Sequence, residues 1–361
     1  MKDLLVLIIS YQAEDHIEQT IERLPDSICN DEKIEIVLFD DNSTDLTIEK
    51  AKKAFLAKNI KPKIFKNPKN LGYGGNQKVG YQYAINNNYA YVLMLHGDGQ
   101  YPPEYIPKML EQAKSKVLDL CYGTRLNNEY GALKGGMPLY KYVGNKILTN
   151  ILNKILEVNL SEFHSGYRIY RVDALKKIRI DLNSNNFHFD TQIIIQIISI
   201  GGNIGHINIP TKYGDEISRV KGLIYAYNII KEALISTLQK YSILYDEKYS
   251  SFSKIIDQNY ASIKSSAYVK TLLKNNNKIV LITDHSKDEI KAGRGIEGIK
   301  IISSNDELVE QIRDCDAIIW PDLLSIDGVE KQIEWIRGNI DMDEKILLAT
   351  VPNISFLVNR I

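Results

Sequence analysis

The residues best suited to chemistry stand directly behind short apolar runs. Ser10-Tyr11-Gln12-Ala13-Glu14 follows Leu4 to Ile9, Asp40-Asp41-Asn42-Ser43-Thr44-Asp45 follows Ile34 to Phe39, and His96-Gly97-Asp98-Gly99-Gln100 follows Tyr91 to Leu95. Runs of this length read as buried strands, and the segments between them carry apolar residues at helical spacing, such as Ile17, Ile21, Leu24 and Ile48, Ala51, Phe55. Strands alternating with helices predict an α/β fold with a mainly parallel sheet, whose ligands bind outside the carboxyl ends of the strands. Acidic groups distant in sequence should therefore converge on one crevice, where carboxylates can hold a divalent cation. Asp98 has a second reading, as a cap for the segment that opens at Pro102-Pro103-Glu104. Gly72-Tyr73-Gly74-Gly75 is not read as a dinucleotide loop, because it does not follow the first strand and its spacing is not GxGxxG.

The elements that must position these residues extend over a chain of 361 residues, long enough for about two domains. With 44% hydrophobic and 25% charged residues the chain can build a large core, which excludes disordered, collagen-like and disulfide-scaffold classes. Lys+Arg and Asp+Glu both number 45, so no basic excess attracts nucleic acid and any phosphate binding must be local. Cys29, Cys121 and Cys315 fit neither a zinc spacing nor a disulfide framework, and suit a reducing cytoplasm. The apolar runs are too short for a signal peptide or a membrane span. Helices are expected over Tyr140 to Leu156 and Leu223 to Tyr241. In the second, Leu223, Tyr227, Ile230, Leu234, Leu238 and Tyr241 share a stripe that either packs on the sheet or, flanked by Arg219, Lys221, Lys231 and Lys240, lies in a membrane interface. Residues 1–245 form the first expected domain and 246–268 a polar linker; Ile279 to Ile282, Ala317 to Trp320 and Ile346 to Ala349 are strands of a smaller Rossmann-like domain over 269–361.

Three further segments fall in order along the first domain: Asn70-Leu71-Gly72-Tyr73-Gly74-Gly75-Asn76, Gly123-Thr124-Arg125 and Ser165-Gly166-Tyr167-Arg168. Together with the three strand-end segments they make residues 1 to about 240 resemble family 2 glycosyltransferases of the GT-A fold, particularly the branch of dolichyl-phosphate mannose synthase and related polyprenyl-phosphate sugar synthases. The resemblance implies a metal-dependent, inverting hexosyltransferase that uses a UDP- or GDP-linked sugar in cell-surface glycan or glycoconjugate synthesis. It places Ser10, Tyr11, Glu14, Asp40, Asp41, Gly72, His96, Asp98, Arg125 and Arg219 around the nucleotide sugar, with Asp41 on the nucleoside. Asp98 and Gln100 would bind Mg²⁺ or Mn²⁺, and Asp98, Glu162 and Arg168 would be the catalytic residues. His96 stands where the family has the first Asp of an Asp-x-Asp motif. A neutral imidazole suits hard Mg²⁺ less well than an oxygen donor, so His96 is read as touching the nucleotide, with metal ligation as the alternative.

The acceptor stays open between a polyprenyl phosphate, the first reading, and a sugar hydroxyl of a glycan. The branch uses an Arg-x-x-x-Ser pattern for the acceptor phosphate, whereas Lys141-Tyr142-Val143-Gly144-Asn145 stands here. A hydroxyl acceptor must lose a proton, with Glu162 or the pair Asp215-Glu216 as base; a phosphate oxygen needs none. Glu162 also has the reading of an ion-pair partner for Arg168. A non-catalytic sugar-nucleotide-binding module is the third reading. The expected location is cytoplasmic, with peripheral contact to the cytoplasmic membrane face if the acceptor is a lipid; a homo-oligomer is compatible and nucleic acid is not expected. Residues from about 270 onward loosely resemble a class I methyltransferase at Asp314 to Trp320 and Leu347 to Asn353. The expected glycine-rich turn is replaced by Thr283-Asp284-His285-Ser286, which implies a degenerate or truncated module.

Overall fold

The computed structural model describes residues 2–126, 132–210, 222–241, 243–244 and 246–249, and beyond them the backbone of four strands. The chain divides into two compact units, Met1–Phe252 and Ser253–Ile361. In the first unit the strands are β1 (Leu4–Ser10), β2 (Ile34–Asp40), β3 (Ile64–Lys66), β4 (Tyr91–His96), β5 (Leu120–Thr124), β6 (Arg168–Arg171) and β7 (Ile204–Asn208). They form one sheet in the order β3-β2-β1-β4-β6-β5-β7. Every described neighbour pair is parallel except those of β6, which runs antiparallel to both β4 and β5. Helices α1 (Ile17–Glu22), α2 (Asp26–Cys29), α3 (Thr47–Ala57), α4 (Tyr73–Asn86) and α5 (Ile106–Ser115) connect the first strands. α6 (Leu139–Leu156), α7 (Val172–Leu175), α8 (Phe189–Ser199) and α9 (Gly222–Lys240) belong to the second half of the unit.

β1 shows why the sheet sits where it does. All seven of its residues are buried, as a central parallel strand covered on both faces requires. Because side chains alternate across a strand, Leu5, Leu7 and Ile9 enter one core with Tyr81 of α4 and Phe189 and Ile193 of α8. Leu4, Val6 and Ile8 enter the opposite core with Ile17 of α1, Phe55 of α3 and Met109 of α5. Gly80 lets α4 lie close to the sheet: a Cβ there would stand 2.4 Å from the methyl groups of Leu7.

α9 departs from the expected stripe. Leu223 (90% exposed), Tyr227 (66%) and Tyr241 (58%) face away from the unit, Leu234 and Leu238 are exposed too, and only Ile230 of that set packs against the core. The face that is buried carries Ile229, Glu232 and Ala233 instead. The helix is apolar over most of its circumference, so periodicity alone does not choose the buried side; the neighbours α6 and α8 do.

The chain stays tied to the first unit as far as Tyr249, past the start of the expected linker at 246. Tyr249 is 4% exposed and its hydroxyl donates to Glu232, while Lys248 pairs with Glu232 at 2.8 Å and its carbonyl accepts from Gln196. In the second unit β8 (Ile279–Thr283), β9 (Ile299–Ser303), β10 (Ala317–Trp320) and β11 (Ile346–Ala349) form a parallel sheet in the order β11-β10-β8-β9. Its β9 is a strand beyond the three expected from the sequence. Among the described residues no helix is long and apolar enough to cross a membrane.

Leu7 touches both α4 and the core beneath it with no exposed surface, so Leu7→Ala should cost about 2–5 kcal/mol through lost burial and the cavity left behind. Urea unfolding followed by circular dichroism checks this; an unchanged midpoint would contradict the placement of Leu7.

Candidate active site

Adjacent parallel strands bring the strand-end residues together, since Ser10 is level with Asp40 and Ile9 with His96. Asp40 is wholly buried and serves as a brace: it accepts from Ser10 Oγ at 3.1 Å, from Ser43 Oγ at 2.5 Å and from the Ser43 N–H at 2.7 Å. Gln12 turns the chain with a left-handed φ of 52° and donates its N–H to Ser43 Oγ, so the β1 and β2 loops are locked to each other. Glu14 accepts from the Leu46 N–H at 3.0 Å, and Tyr11 is 40% exposed at the end of β1.

Asp41, also buried, organises the glycine-rich segment. One oxygen accepts from Asn67 Nδ2 and the Leu71 N–H, and the other from the Gly72 N–H at 2.9 Å. Gly72 has φ +83°, and a Cβ there would stand 2.7 Å from the Asn185 carbonyl; the segment is an entry turn for α4 pressed against the loop before α8.

Asp98 accepts from the Gln100 N–H at 3.0 Å through Oδ1, and its Oδ2 faces His96 Nδ1 at 3.7 Å. An imidazole nitrogen and a carboxylate oxygen so placed suit a divalent cation whose other ligands come from a diphosphate and water. Among the described residues no cluster of three or more His, Cys, Asp or Glu side chains offers a complete protein cage.

The two candidate catalytic residues outside the strand ends are both held in ion pairs. Glu162 pairs with Arg125, not Arg168: Oε2 accepts from the Arg125 N–H at 2.7 Å, and Oε1 accepts from Arg125 Nε at 2.8 Å and from its Nη2. Glu162 and Arg125 are 1% and 6% exposed. Arg168 is 1% exposed and lies beneath the crevice, where it donates to the carbonyls of Ser165, Phe163 and Asp190 and sits 3.7 Å from Asp190 Oδ1. In this fold it ties the 163–165 turn to α8 and does not reach the strand ends. Arg219, Asp215 and Glu216 lie outside the described residues.

Several site residues went unnoticed in the sequence. Tyr73 donates its hydroxyl to Asp190 at 2.8 Å and also contacts His96 Nε2 at 3.1 Å. Burial, with Asp190 beside it, pushes the Tyr73 hydroxyl well above its usual range, so it keeps its proton. Asp190 also accepts from Gln77. An acid one residue into an apolar helix reads as a helix-start residue, and only the companion polar residues Thr191 and Gln192, buried with it, could have signalled more. His164 meets the Tyr225 hydroxyl of α9 at 3.1 Å, which links that helix to the Glu162 turn.

With this geometry in view, the chain matches, over residues 5–179, the family described as glycosyl transferase family 2. The first unit belongs to that family. Its mainly parallel sheet with helices on both faces is the α/β arrangement expected for a GT-A domain. The low-salt glycan biosynthesis hexosyltransferase of Haloferax volcanii is 32% identical over 195 residues, covering 54% of this chain and 44% of that protein, less than half of its length. The undecaprenyl-phosphate mannosyltransferase of Micrococcus luteus is 24% identical over 210 residues, covering 57% of this chain and 82% of that one. The crystal structure of glucosyl-3-phosphoglycerate synthase from Mycobacterium tuberculosis is similar with a TM-score of 0.48 at 16% identity, over 68% of this chain and 81% of that chain.

Burial, reinforced by the guanidinium groups of Arg125 and Arg168, pushes the His164 imidazole from an ordinary 6.5 down to about 3. Below pH 6.5 the unfolded chain therefore takes up a proton here that the fold refuses until about pH 3, so stability present above 6.5 is lost as the pH falls through that window. His164→Gln should lose less melting temperature than the parent over the same range; parallel profiles would show that His164 is not held neutral.

Proposed function

We propose that this family 2 glycosyltransferase moves a sugar from a UDP- or GDP-linked donor to a polyprenyl phosphate, with inversion and with a divalent metal ion. The observation that carries the choice of acceptor is the Glu162–Arg125 pair: both carboxylate oxygens already accept from Arg125, so Glu162, the candidate base among the described residues, is not poised to take a proton. A phosphate acceptor needs none, because its oxygen is already a nucleophile. That oxygen attacks the anomeric carbon as the bond from that carbon to the diphosphate oxygen breaks, and the nucleoside diphosphate leaves with the bonding pair. His96 and Asp98 would hold the metal, which supplies charge stabilisation for the departing diphosphate when bound. Asp40 and Asp41 keep the two loops around the donor in place, and Arg168 acts from below by fixing the 163–165 turn.

The surface beside the site supports a lipid acceptor. Thr237 donates to the Ile155 carbonyl and Lys240 pairs with Glu157, so the carboxyl-terminal ends of α6 and α9 meet. Their amino-terminal halves together expose Leu139, Tyr140, Val143 and Ile147 of α6 with Leu223, Ile224 and Tyr227 of α9. Tyr225 places this apolar ridge next to the Glu162 turn through His164, and Lys146 stands among the exposed residues of α6. An apolar ridge with basic residues suits the interface of an anionic membrane. The Micrococcus luteus relative, whose name specifies undecaprenyl phosphate, supports the same acceptor class.

The direct test incubates the full chain with polyprenyl phosphate in vesicles, a panel of UDP- and GDP-sugars, and Mg²⁺ or Mn²⁺. Lipid-linked sugar should form, and Asp98→Ala should abolish it without unfolding the protein. Glu162→Gln, assayed at low temperature because breaking a buried pair costs about 3–5 kcal/mol, should keep turnover within about tenfold. A loss of about 10²-fold or more, with product only on a glycan hydroxyl, would assign Glu162 as base and replace the acceptor. No turnover with any donor, metal or acceptor would leave a sugar-nucleotide-binding module.

Docking through the ridge predicts that Leu223→Ser combined with Tyr227→Ser weakens co-sedimentation with anionic vesicles by about tenfold or more, since each side chain buries roughly 1.5–3 kcal/mol of apolar surface. Equal sedimentation of the variant and the parent would remove the membrane role of α9.

A further inference from the structure

We infer that Tyr73 and Asp190 are positioning residues that hold His96 as the neutral tautomer protonated on Nε2, so that the bare Nδ1 lone pair is presented to the cation site beside Asp98. The inference rests on the metal-dependent reading above, but its first observable does not.

The argument is a count of protons. The Tyr73 hydroxyl carries one hydrogen and lies 2.8 Å from Asp190 Oδ2, a carboxylate oxygen that can only accept. The hydrogen therefore points to Asp190, and the Tyr73 oxygen is left as an acceptor for the other neighbour at 3.1 Å, His96 Nε2. Nε2 must then carry a hydrogen, and in a neutral imidazole Nδ1 carries none. Asp190 cannot easily turn away, because Gln77 donates to its other oxygen and the Arg168 guanidinium stands 3.7 Å from it.

Packing fixes the same arrangement. The His96 ring lies edge-on to Tyr73 and to Tyr101, with centroids 5.5 and 5.0 Å away. Gly166 closes the third side, where a Cβ would stand 2.7 Å from His96 Nε2 and 2.9 Å from the Tyr73 hydroxyl. The Gly166 N–H is itself anchored, donating to the Tyr101 hydroxyl at 2.8 Å. A flip of the ring would put a carbon in place of each nitrogen and lose the contacts of Nε2 with Tyr73 and of Nδ1 with Asp98.

On the open side Nδ1 faces Asp98 Oδ2 at 3.7 Å, two acceptors turned toward each other, an arrangement that a cation between them would relieve. Carboxylates that fix the tautomer and orientation of a ligating histidine through its other nitrogen raise its basicity as a donor. Here the carboxylate acts through an intervening tyrosine. The consequence for specificity is that a nitrogen donor in place of an acidic oxygen favours Mn²⁺ over Mg²⁺.

The test has two readouts on the full chain. In metal-free protein with isotope-labelled histidine, proton–nitrogen correlation spectra report the tautomer of His96, identified by the resonance lost in His96→Gln. The expected result is the Nε2–H form in the parent and a mixture in Tyr73→Phe; an Nδ1–H form or an imidazolium in the parent overturns the inference, even should Tyr73→Phe fail to fold. The second readout is Mn²⁺ affinity in the presence of UDP or GDP, followed by electron paramagnetic resonance of the free ion. Tyr73→Phe should weaken it by about 10-fold or more, with a smaller change for Mg²⁺ measured by competition. Loss of Mn²⁺ affinity in Asp98→Ala but not in a folded Tyr73→Phe overturns the positioning role and leaves the transferase reading standing. Full Mn²⁺ affinity in Asp98→Ala, with the Nε2–H tautomer present in the parent, sinks the metal reading and not the hydrogen-bond relay.

Discussion

A positive charge sealed beneath the crevice is the constraint on which the rest of the site depends. The Arg168 guanidinium is 1% exposed, and a charge so placed is tolerated only when its donors and its charge are both answered. The carbonyls of Phe163, Ser165 and Asp190 answer the donors, and the Asp190 carboxylate answers the charge. Burial alone would lower the pKa of Arg168, but Asp190, aided by the surrounding tyrosines, raises it above the ordinary value. Once Asp190 is committed there, it is also committed to Tyr73 and Gln77, and through Tyr73 the same constraint reaches His96 at the end of the neighbouring β4. One buried pair thus fixes the turn before β6, the head of α8, the entry to α4 and the end of β4.

A second buried pair, Arg125 with Glu162, lies on the same turn and works differently. Its members bridge β5 to the turn before β6, and Arg125 also donates to the His164 carbonyl. The antiparallel β6 is what makes this geometry available. By entering the sheet against the direction of β4 and β5, it returns the preceding turn to the end of the sheet where the parallel strands deliver Ser10, Asp40 and His96. The turn can then hold its two acidic and basic partners close to the crevice without any residue of β6 itself reaching the ligand side.

Much of this was legible in the sequence where burial is uniform. β1 and β4, and β2 apart from Glu35, are apolar runs because both faces of a central strand are covered, and their ends could be read within a residue. The acidic groups behind them converge because parallel strands share a direction. β3, β5, β6 and β7 did not stand out, being short and mixed in composition, with β3 and β7 at the sheet edges. The sequence also carried no sign of which arginine meets which carboxylate, since Glu162 lies nearer in sequence to Arg168 yet pairs with Arg125. Nor did the stripe on α9 reveal its outward direction, because Ile229 and Ala233 are as apolar as the residues it turns away. Periodicity reports that a helix has an apolar side; the neighbouring elements decide which side is covered.

The absence of a side chain at Gly166 has a consequence for how this chain can vary. The position admits no Cβ while a full imidazole stands at 96 and a phenol at 73. Substitutions at these three positions are therefore not independent: alanine at 166 becomes admissible only in a background where residues 96 and 73 have both already given way. A lineage in which an aspartate replaced the imidazole would still meet the Tyr73 hydroxyl at 166, and one that keeps the histidine must keep the glycine. The order in which the changes can accumulate is set by this single contact.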